Sequence, residues 1–127
     1  MKIAVLIARY LLGLVFLVFG LNGFLHFIPA PPPPPGPAGQ FMTALFASHY
    51  VLVVSAVQVA GGVLLLVNRY VPLALVLLGP VIVNILCFHL LMYRTGLPMA
   101  ILVAILWGIL FLRHRQSFSR IFVQRTP

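Results

Sequence analysis

Three of the four histidines lie where a helical chain would bring them to one depth. In a four-span topology His26 ends the first span, His49 begins the second and His89 lies near the end of the third. Converging neutral imidazoles can ligate a haem iron, a zinc or copper ion or a pigment magnesium, and can hydrogen-bond a quinone carbonyl. No CxxCH motif, HxxxH pair or neighbouring carboxylate accompanies them. The alternative interpretation is that the three are ordinary histidines at the membrane interface and bind no ligand.

Three amide side chains also lie within the predicted spans. Asn22 precedes His26 by four residues and shares its helix face, while Gln58 and Asn84 lie at similar distances below the outer ends of their spans. Antiparallel neighbours would bring Gln58 and Asn84 level. One interpretation is an interhelical hydrogen bond that fixes helix pairing. The other is a pocket lined by the three amides that binds or positions a ligand, because amides do not titrate.

The composition excludes much acid–base and thiol chemistry. The chain contains no Asp or Glu, which removes carboxylate general acids and bases and carboxylate metal ligands. Its single cysteine, Cys87, can form neither an internal disulfide nor a CxxC redox pair, and is interpreted as a small apolar filler of a helix. An enzyme is therefore the weaker expectation.

The hydrophobicity predicts an all-α, integral-membrane four-helix bundle that forms a single domain, residues 1–127. The 127 residues are 63% hydrophobic, with a mean hydropathy of +1.19. Spans of roughly 20 apolar residues cross the ~30 Å hydrocarbon layer as helices. The predicted spans are residues 10–28, 50–67, 72–93 and 97–112. The first could be mistaken for a signal peptide, but it is longer than a typical signal core and is expected to be retained.

The segments outside the spans have their own patterns. Residues 29–37 contain five consecutive prolines and predict a stiff polyproline II loop, either a linker or an apolar recognition ridge. Residues 38–47 predict a short interfacial helix. In the basic tail, residues 113–127, Phe118, Ile121 and Phe122 follow helical spacing among arginines. We expect this amphipathic tail to lie on an anionic membrane surface.

The positive charges predict the orientation. On the side of the termini lie Lys2, Arg9, Arg69, Arg113, Arg115, Arg120 and Arg125, and on the other side lies Arg94 alone. Seven charges against one predict cytoplasmic termini and an outer proline-rich loop. The net charge of +8 is thus explained by topology and by anionic lipids rather than by nucleic acid.

Three phrases resemble a known family. FGLNGF (19–24), VQVAGGVLLL (57–66) and GPVIVNILCFHLL (79–91) are similar to the DoxX family of small bacterial four-helix membrane proteins, over about residues 10–112. The resemblance implies a bundle in the bacterial cytoplasmic membrane. It also implies membrane oxidoreductase assemblies as partners, since some relatives belong to them, including a quinone-linked thiosulfate oxidoreductase.

The resemblance extends to a polar position followed by a glycine pair. The polar position matches Gln58, and the glycines match Gly61 and Gly62. Many relatives have Glu at the polar position, so Gln58 removes the titratable intramembrane group that the resemblance would have supplied.

Two functions are expected from these observations. The first is an accessory or structural subunit of a larger, redox-linked membrane complex, without chemistry of its own. The polyproline ridge suits contact with other subunits, and so does a small-residue face, Ala100, Ala104 and Gly108, for which packing inside the bundle is the alternative. The second is a binding module for a lipid-soluble cofactor such as quinone, haem or pigment. Its candidate binding residues are His26, His49, His89, Asn22, Gln58 and Asn84.

Overall fold

A computed structural model describes residues 2–127, and every regular element in that range is helical. The α-helices are α1 (Lys2–Leu25), α2 (Pro37–Ala47), α3 (Tyr50–Leu66), α4 (Val71–Leu91), α5 (Leu97–Arg113) and α6 (Arg115–Phe118). Two 3-10 helices, Arg94–Gly96 and Ser119–Phe122, precede α5 and follow α6. No strand occurs among residues 2–127. The predicted all-α class is therefore confirmed.

Prolines and left-handed residues mark where the helices begin. Pro37, Pro72 and Pro98 lie in the first turns of α2, α4 and α5, where a missing N–H costs no helical hydrogen bond. His49 and Tyr70 have φ values of 63° and 52° and immediately precede α3 and α4. Short turns therefore separate α2 from α3 and α3 from α4.

Three helical stretches are long and apolar enough to cross a membrane: α1, α4 and Arg94–Arg113. Helix α3 has 17 residues, and qualifies only together with α2, from which it is bent by 83°. The described chain thus has three candidate spans, or four if the bent pair forms one. These are the features of a multi-pass membrane protein.

Helix α1 differs from the predicted first span at both ends. The prediction began at residue 10 and ended at residue 28, whereas the helix runs from Lys2 to Leu25. Lys2 and Arg9 are consequently helical residues rather than flanking ones. Residues 26–36, which include the five consecutive prolines, contain no helix.

Glycines bring α1 and α3 into close antiparallel contact. Gly13 lies opposite Leu66, and Gly23 lies opposite Ser55. At Gly62 the two backbones touch, because a Cβ atom there would lie 2.8 Å from the carbonyl oxygen of Gly13. Close backbone approach through small residues is typical of helix pairs in membranes. Helices α1 and α4 each also pack against α5, and α3 packs against α4.

This packing gives the molecule two chemically different ends. The basic end holds the start of α1, the turn 68–70 and the end of α5, as the pairing of Gly13 with Leu66 and of Trp107 with Leu75 shows. The histidine end holds the end of α1, helix α2, the start of α3 and the end of α4. His26, His49 and His89 all belong to the histidine end.

The hydrophobic core lies toward the basic end. Its largest fully buried apolar side chains are Leu12, Phe16, Leu65, Leu75, Leu78 and Leu110. At the histidine end, in contrast, Leu25 and Leu91 are 66% and 80% exposed. Exposed apolar side chains cover the helices elsewhere, as expected for surfaces that meet lipid.

The basic tail is only partly the amphipathic surface predicted from its sequence. Phe118 is buried, with its ring centroid 4.9 Å from that of Phe111, which itself stacks on Trp107 at 5.2 Å. Ile121 and Phe122 are exposed. The prediction that Phe118 shares their membrane-facing surface is therefore wrong. The tail folds back at α6, where a stack of aromatic rings removes Phe118 from solvent.

Candidate functional site

The three histidines share one end of the molecule, but each has a separate environment. His26 is exposed, with a φ of 53°, just beyond the end of α1, and His49 is exposed at the bend between α2 and α3. His89 is half-buried on α4. Among residues 2–127 no group of three His, Cys, Asp or Glu side chains is placed to hold a metal ion. A shared metal site therefore has no ligand set in the described part of the chain.

Asn22 closes the end of α1. Its side-chain Oδ1 accepts a hydrogen bond from the backbone N–H of Ile28 at 2.8 Å, and its backbone carbonyl accepts one from the N–H of His26, also at 2.8 Å. The end of a helix leaves backbone carbonyls without helical donors, and this turn satisfies the carbonyl of Asn22. The side chain and the backbone carbonyl of Asn22 thus stabilise a turn at the end of α1.

Gln58 and Asn84 are offset in depth by about one helical turn. The turn 68–70 joins α3 to α4, so depth along both helices can be counted from Arg69. Gln58 lies 11 residues before Arg69 and Asn84 lies 15 residues after it, an offset of about 6 Å at ~1.5 Å per residue. The contact between Gly61 and Leu78 fits this register. The sequence interpretation counts residues from the outer ends of the spans and expects the two amides at the same depth. That expectation is therefore wrong.

The two amides also have different neighbours. Asn84 is exposed, and its Nδ2 donates to the carbonyl oxygen of Pro80 in its own helix at 2.8 Å. Gln58 is half-buried next to α1, where a Cβ atom at Gly20 would lie 3.0 Å from the Gln58 Cβ. Within residues 2–127 no hydrogen bond joins Gln58 to Asn84. A ligand shared by the amides stays a prediction.

His89 belongs to an aromatic group that we call the histidine-end cluster, formed by Phe41, Phe88, His89 and Tyr93. The Phe88 ring lies 5.6 Å from that of Phe41 on α2, 5.1 Å from the His89 imidazole and 6.4 Å from the Tyr93 ring. The cluster therefore connects α2 to the end of α4. Gly96 closes one side, because a Cβ atom there would overlap the imidazole.

The hydrogen bond of His89 determines which of its nitrogens is free. Its Nδ1 lies 2.9 Å from the carbonyl oxygen of Tyr93. Because a carbonyl can only accept, Nδ1 must carry the proton, and Nε2 of a neutral ring keeps a lone pair. Such a nitrogen can coordinate an iron or magnesium ion, or can accept a hydrogen bond.

The proline segment forms an open groove with α2 at the same end of the molecule. The Pro34 carbonyl oxygen packs against Gly39, at a distance that leaves no room for a side chain. The groove has a volume of about 570 Å³. It is lined by Pro33, Pro34, Gly36, Gly39, Gln40, Thr43, Ala44 and Ala47. Its surface is mainly apolar, with the Gln40 amide and the Thr43 hydroxyl as the polar side-chain groups.

Arg9 is a structural residue that the sequence interpretation missed. Its Nη1 donates to the carbonyl oxygens of Leu65 at 2.6 Å and Leu66 at 3.3 Å, and its guanidinium lies 4.5 Å from the centroid of the Tyr10 ring. Arg9 is only 9% exposed. Because the last carbonyls of a helix lack helical donors and carry partial negative charge, this cation caps α3.

The sequence did contain a signal for this role. Helix α3 has no basic residue in its last turn, and Arg9 is followed directly by a tyrosine in an otherwise apolar helix. The sequence interpretation uses Arg9 only as a charge that indicates topology. A cap supplied by another helix depends on the tertiary register, which a single sequence does not give.

At the basic end His114 links α5 to the tail. It follows the last residue of α5 and is half-buried. Burial, with a smaller contribution from the positive charge of Arg113, lowers the pKa of His114 below its ordinary value. His114 is therefore a group whose charge is disfavoured by the folded tail.

Comparisons with known proteins add no relative to this picture: no family model, curated protein or solved structure matches the chain. The resemblance to the DoxX family therefore stays a prediction, carried by the three phrases in which it was found.

Proposed function

We propose that the chain is an accessory, structural subunit of a larger membrane complex and has no chemistry of its own. The observation that carries this proposal is the set of hydrogen-bond partners of the polar side chains. Arg9, Asn22, His89 and Asn84 all hydrogen-bond backbone carbonyl or N–H groups of the chain itself. Side chains used in this way support helix ends and turns rather than a reaction centre.

In this proposal the helices form a four-helix bundle in the bacterial cytoplasmic membrane, with the basic end in the cytoplasm. The distribution of basic residues supports this orientation. The DoxX resemblance supports a redox-linked complex. The proline segment and its groove with α2 would then face outward, where they offer an apolar surface to another subunit.

Anionic lipids are the second class of partner that we propose. No buried side-chain nitrogen or oxygen among residues 2–127 lacks a hydrogen-bond partner. The guanidinium nitrogens of Arg9 that do not bond to α3 must therefore reach the surface. There they can pair with a lipid phosphate, because the chain has no carboxylate to offer them.

Purification in mild detergent from native membranes tests the subunit function. We expect other membrane subunits to co-purify in a fixed ratio, and native mass spectrometry to show their complex with this chain of 14.0 kDa. Recovery of the chain with lipid alone would contradict the proposal.

Reporters on the C-terminus and the proline segment test the orientation. A reporter active only in the cytoplasm should work at the C-terminus and not in the proline segment.

The histidine-end cluster favours a second candidate function, a binding module for quinone, haem or pigment. In its neutral form His89 presents an unprotonated Nε2 and lies against the Phe88 ring, which also packs against Phe41 and Tyr93. This setting suits a flat conjugated ligand. A visible absorption spectrum of the purified protein tests this alternative. Haem or pigment bands that His89→Ala removes and His26→Ala preserves would support it, as would quinone extracted in proportion to protein.

A further inference from the structure

The side of α4 that faces away from the other helices is exposed along its whole length. We call it the outward α4 face, and it comprises Leu73, Val76, Pro80, Asn84, Cys87 and Leu91. Their spacing of three and four residues places them on one side of a helix. Neither α3 nor α5 covers this side, although both flank α4.

This face contains an amide at a depth where lipid cannot satisfy it. Asn84 lies 13 residues after Val71 and seven before Leu91, about 20 Å and about 10 Å along the helix. Its Nδ2 donates one hydrogen to Pro80, and no other residue in 2–127 bonds to the side chain. One N–H and the Oδ1 atom are left for a partner. Such groups are costly in hydrocarbon.

Pro80 adds a second polar group to the same side. Proline has no N–H, so the carbonyl of Val76, four residues earlier, loses its usual helical donor. Val76 is itself half exposed. The outward α4 face thus contains an amide whose hydrogen-bonding capacity the chain does not fill, close to a backbone carbonyl that has lost its usual helical donor.

We propose that this face binds the same face of a second copy of the chain, with the two Asn84 side chains paired across a two-fold axis. A primary amide is both donor and acceptor, so two identical amides at equal depth satisfy each other. The outward α4 face contains no acidic or basic residue, so pairing buries no unpaired charge. A charged partner would find no counter-charge on this face.

The proposal rests on the membrane placement of α4, which the proposed function shares. It adds a specific partner, since a subunit of a larger complex need not contact its own copy. Interhelical amide pairs are known to favour association of membrane helices. Dimer formation and recruitment of other subunits have different readouts, so the two proposals can be tested separately.

The chain's single cysteine tests this pairing directly. Cys87 lies three residues after Asn84 on the outward α4 face. Oxidation of native membranes with copper phenanthroline should produce a disulfide-linked dimer of about 28 kDa, twice the 14.0 kDa chain. Asn84→Leu should lower the cross-linked fraction roughly tenfold, whereas Asn84→Gln should retain most of it. The exposed position leaves the core unchanged, and the amount of inserted protein checks folding.

A relocated cysteine provides the matched control. Met99 lies three residues after Gly96, which contacts His89, and Cys87 lies two residues before His89, so Met99 and Cys87 are at nearly the same depth. Met99 is on the exposed side of α5. In the variant with Cys87→Ser and Met99→Cys we expect no dimer above the level of random collision. Equal cross-linking from both positions, or a Cys87 dimer insensitive to Asn84→Leu, would overturn the inference.

The outcomes separate this inference from the proposed function. Absence of the Cys87 dimer together with co-purification of other subunits would refute the pairing and leave the subunit function standing. A specific Cys87 dimer without any other subunit would do the reverse. Cross-linking of Cys87 to a different protein would also refute the pairing, because the face would then have another occupant.

Discussion

At both ends of the molecule a polar side chain closes the end of a helix, but the two ends differ in how their apolar side chains pack. At the basic end Arg9 closes α3, and at the histidine end Asn22 closes α1. Only the basic end adds a buried core, to which Phe118 returns from the tail. The histidine end relies on the α1–α3 contact and the histidine-end cluster. Its few buried apolar groups make it the more adaptable surface for a ligand or partner.

The largest effect should come from filling the space between α1 and α3. Gly62→Ala places a Cβ atom 2.7 Å from the Leu17 backbone nitrogen, so the helices must separate, and we expect a loss of about 3 kcal/mol. Thermal unfolding in mild detergent measures it. Gly108→Ala is the matched control, because its Cβ atom meets nothing within 4 Å and it should gain up to about 1 kcal/mol. Equal midpoints for both variants would show that this contact does not hold the basic end.

Removal of the cap on α3 should have the next largest effect. Arg9→Gln loses charge-assisted hydrogen bonds to two carbonyls and should destabilise the protein by about 2 kcal/mol. Arg69→Gln, an exposed position at the same end, should change stability little. Unfolding followed by the fluorescence of Trp107 compares them. If both variants behaved alike, Arg9 would be acting only as a topological charge.

At the histidine end the corresponding change should be smaller and local. Asn22→Ala removes the acceptor for the Ile28 N–H and should cost about 1 kcal/mol. Because no large core adjoins this turn, we expect faster hydrogen exchange at the backbone N–H groups of His26, Phe27 and Ile28 and unchanged exchange in the turn 68–70. Gln40→Ala, an exposed change on α2, serves as control. Uniformly faster exchange throughout the chain would contradict the difference between the ends.

The smallest effect should be a pH dependence confined to the basic end. The pKa of His114 is lowered by burial and by Arg113, so below its ordinary value of 6.5 the unfolded tail binds a proton more readily than the folded tail. Stability from the docked tail is thus full above pH 6.5 and declines as pH falls through the lowered pKa. Trp107 fluorescence from about pH 8 to about pH 5 measures it. His114→Gln should flatten this component, and an unchanged profile would exclude His114 as its source.

Local chemistry made much of the fold predictable. Long apolar runs indicated helices and a membrane protein, and Pro72 marked a helix start, because these features depend on neighbouring residues only. The prediction places Pro37 in the loop 29–37, whereas it lies in the first turn of α2. The predicted span 50–67 matches α3 to within one residue, but the 83° bend between α2 and α3 was not predicted. The bend follows from His49 in the left-handed region, a conformation that the sequence does not demand.

The candidate site was less predictable because it depends on register between helices. Counting Gln58 and Asn84 from the outer ends assumed spans of equal length, and the short turn 68–70 shows that depth is better counted from the basic end. The histidines were correctly assigned to helix termini. Their separate environments depend on backbone turns and on Phe41 and Phe88, whose contact across two helices has no local signal.

The length of α3 has a consequence for the surrounding lipid. Its 17 residues measure about 25 Å, whereas a typical hydrocarbon layer is about 30 Å thick. In the proposed four-span arrangement, exposed Val53 and Val63 on α3 would contact acyl chains. The bilayer would then thin beside α3 while it meets longer helices at α1 and α4, and this hydrophobic mismatch would favour short-chain lipids on one flank of the protein.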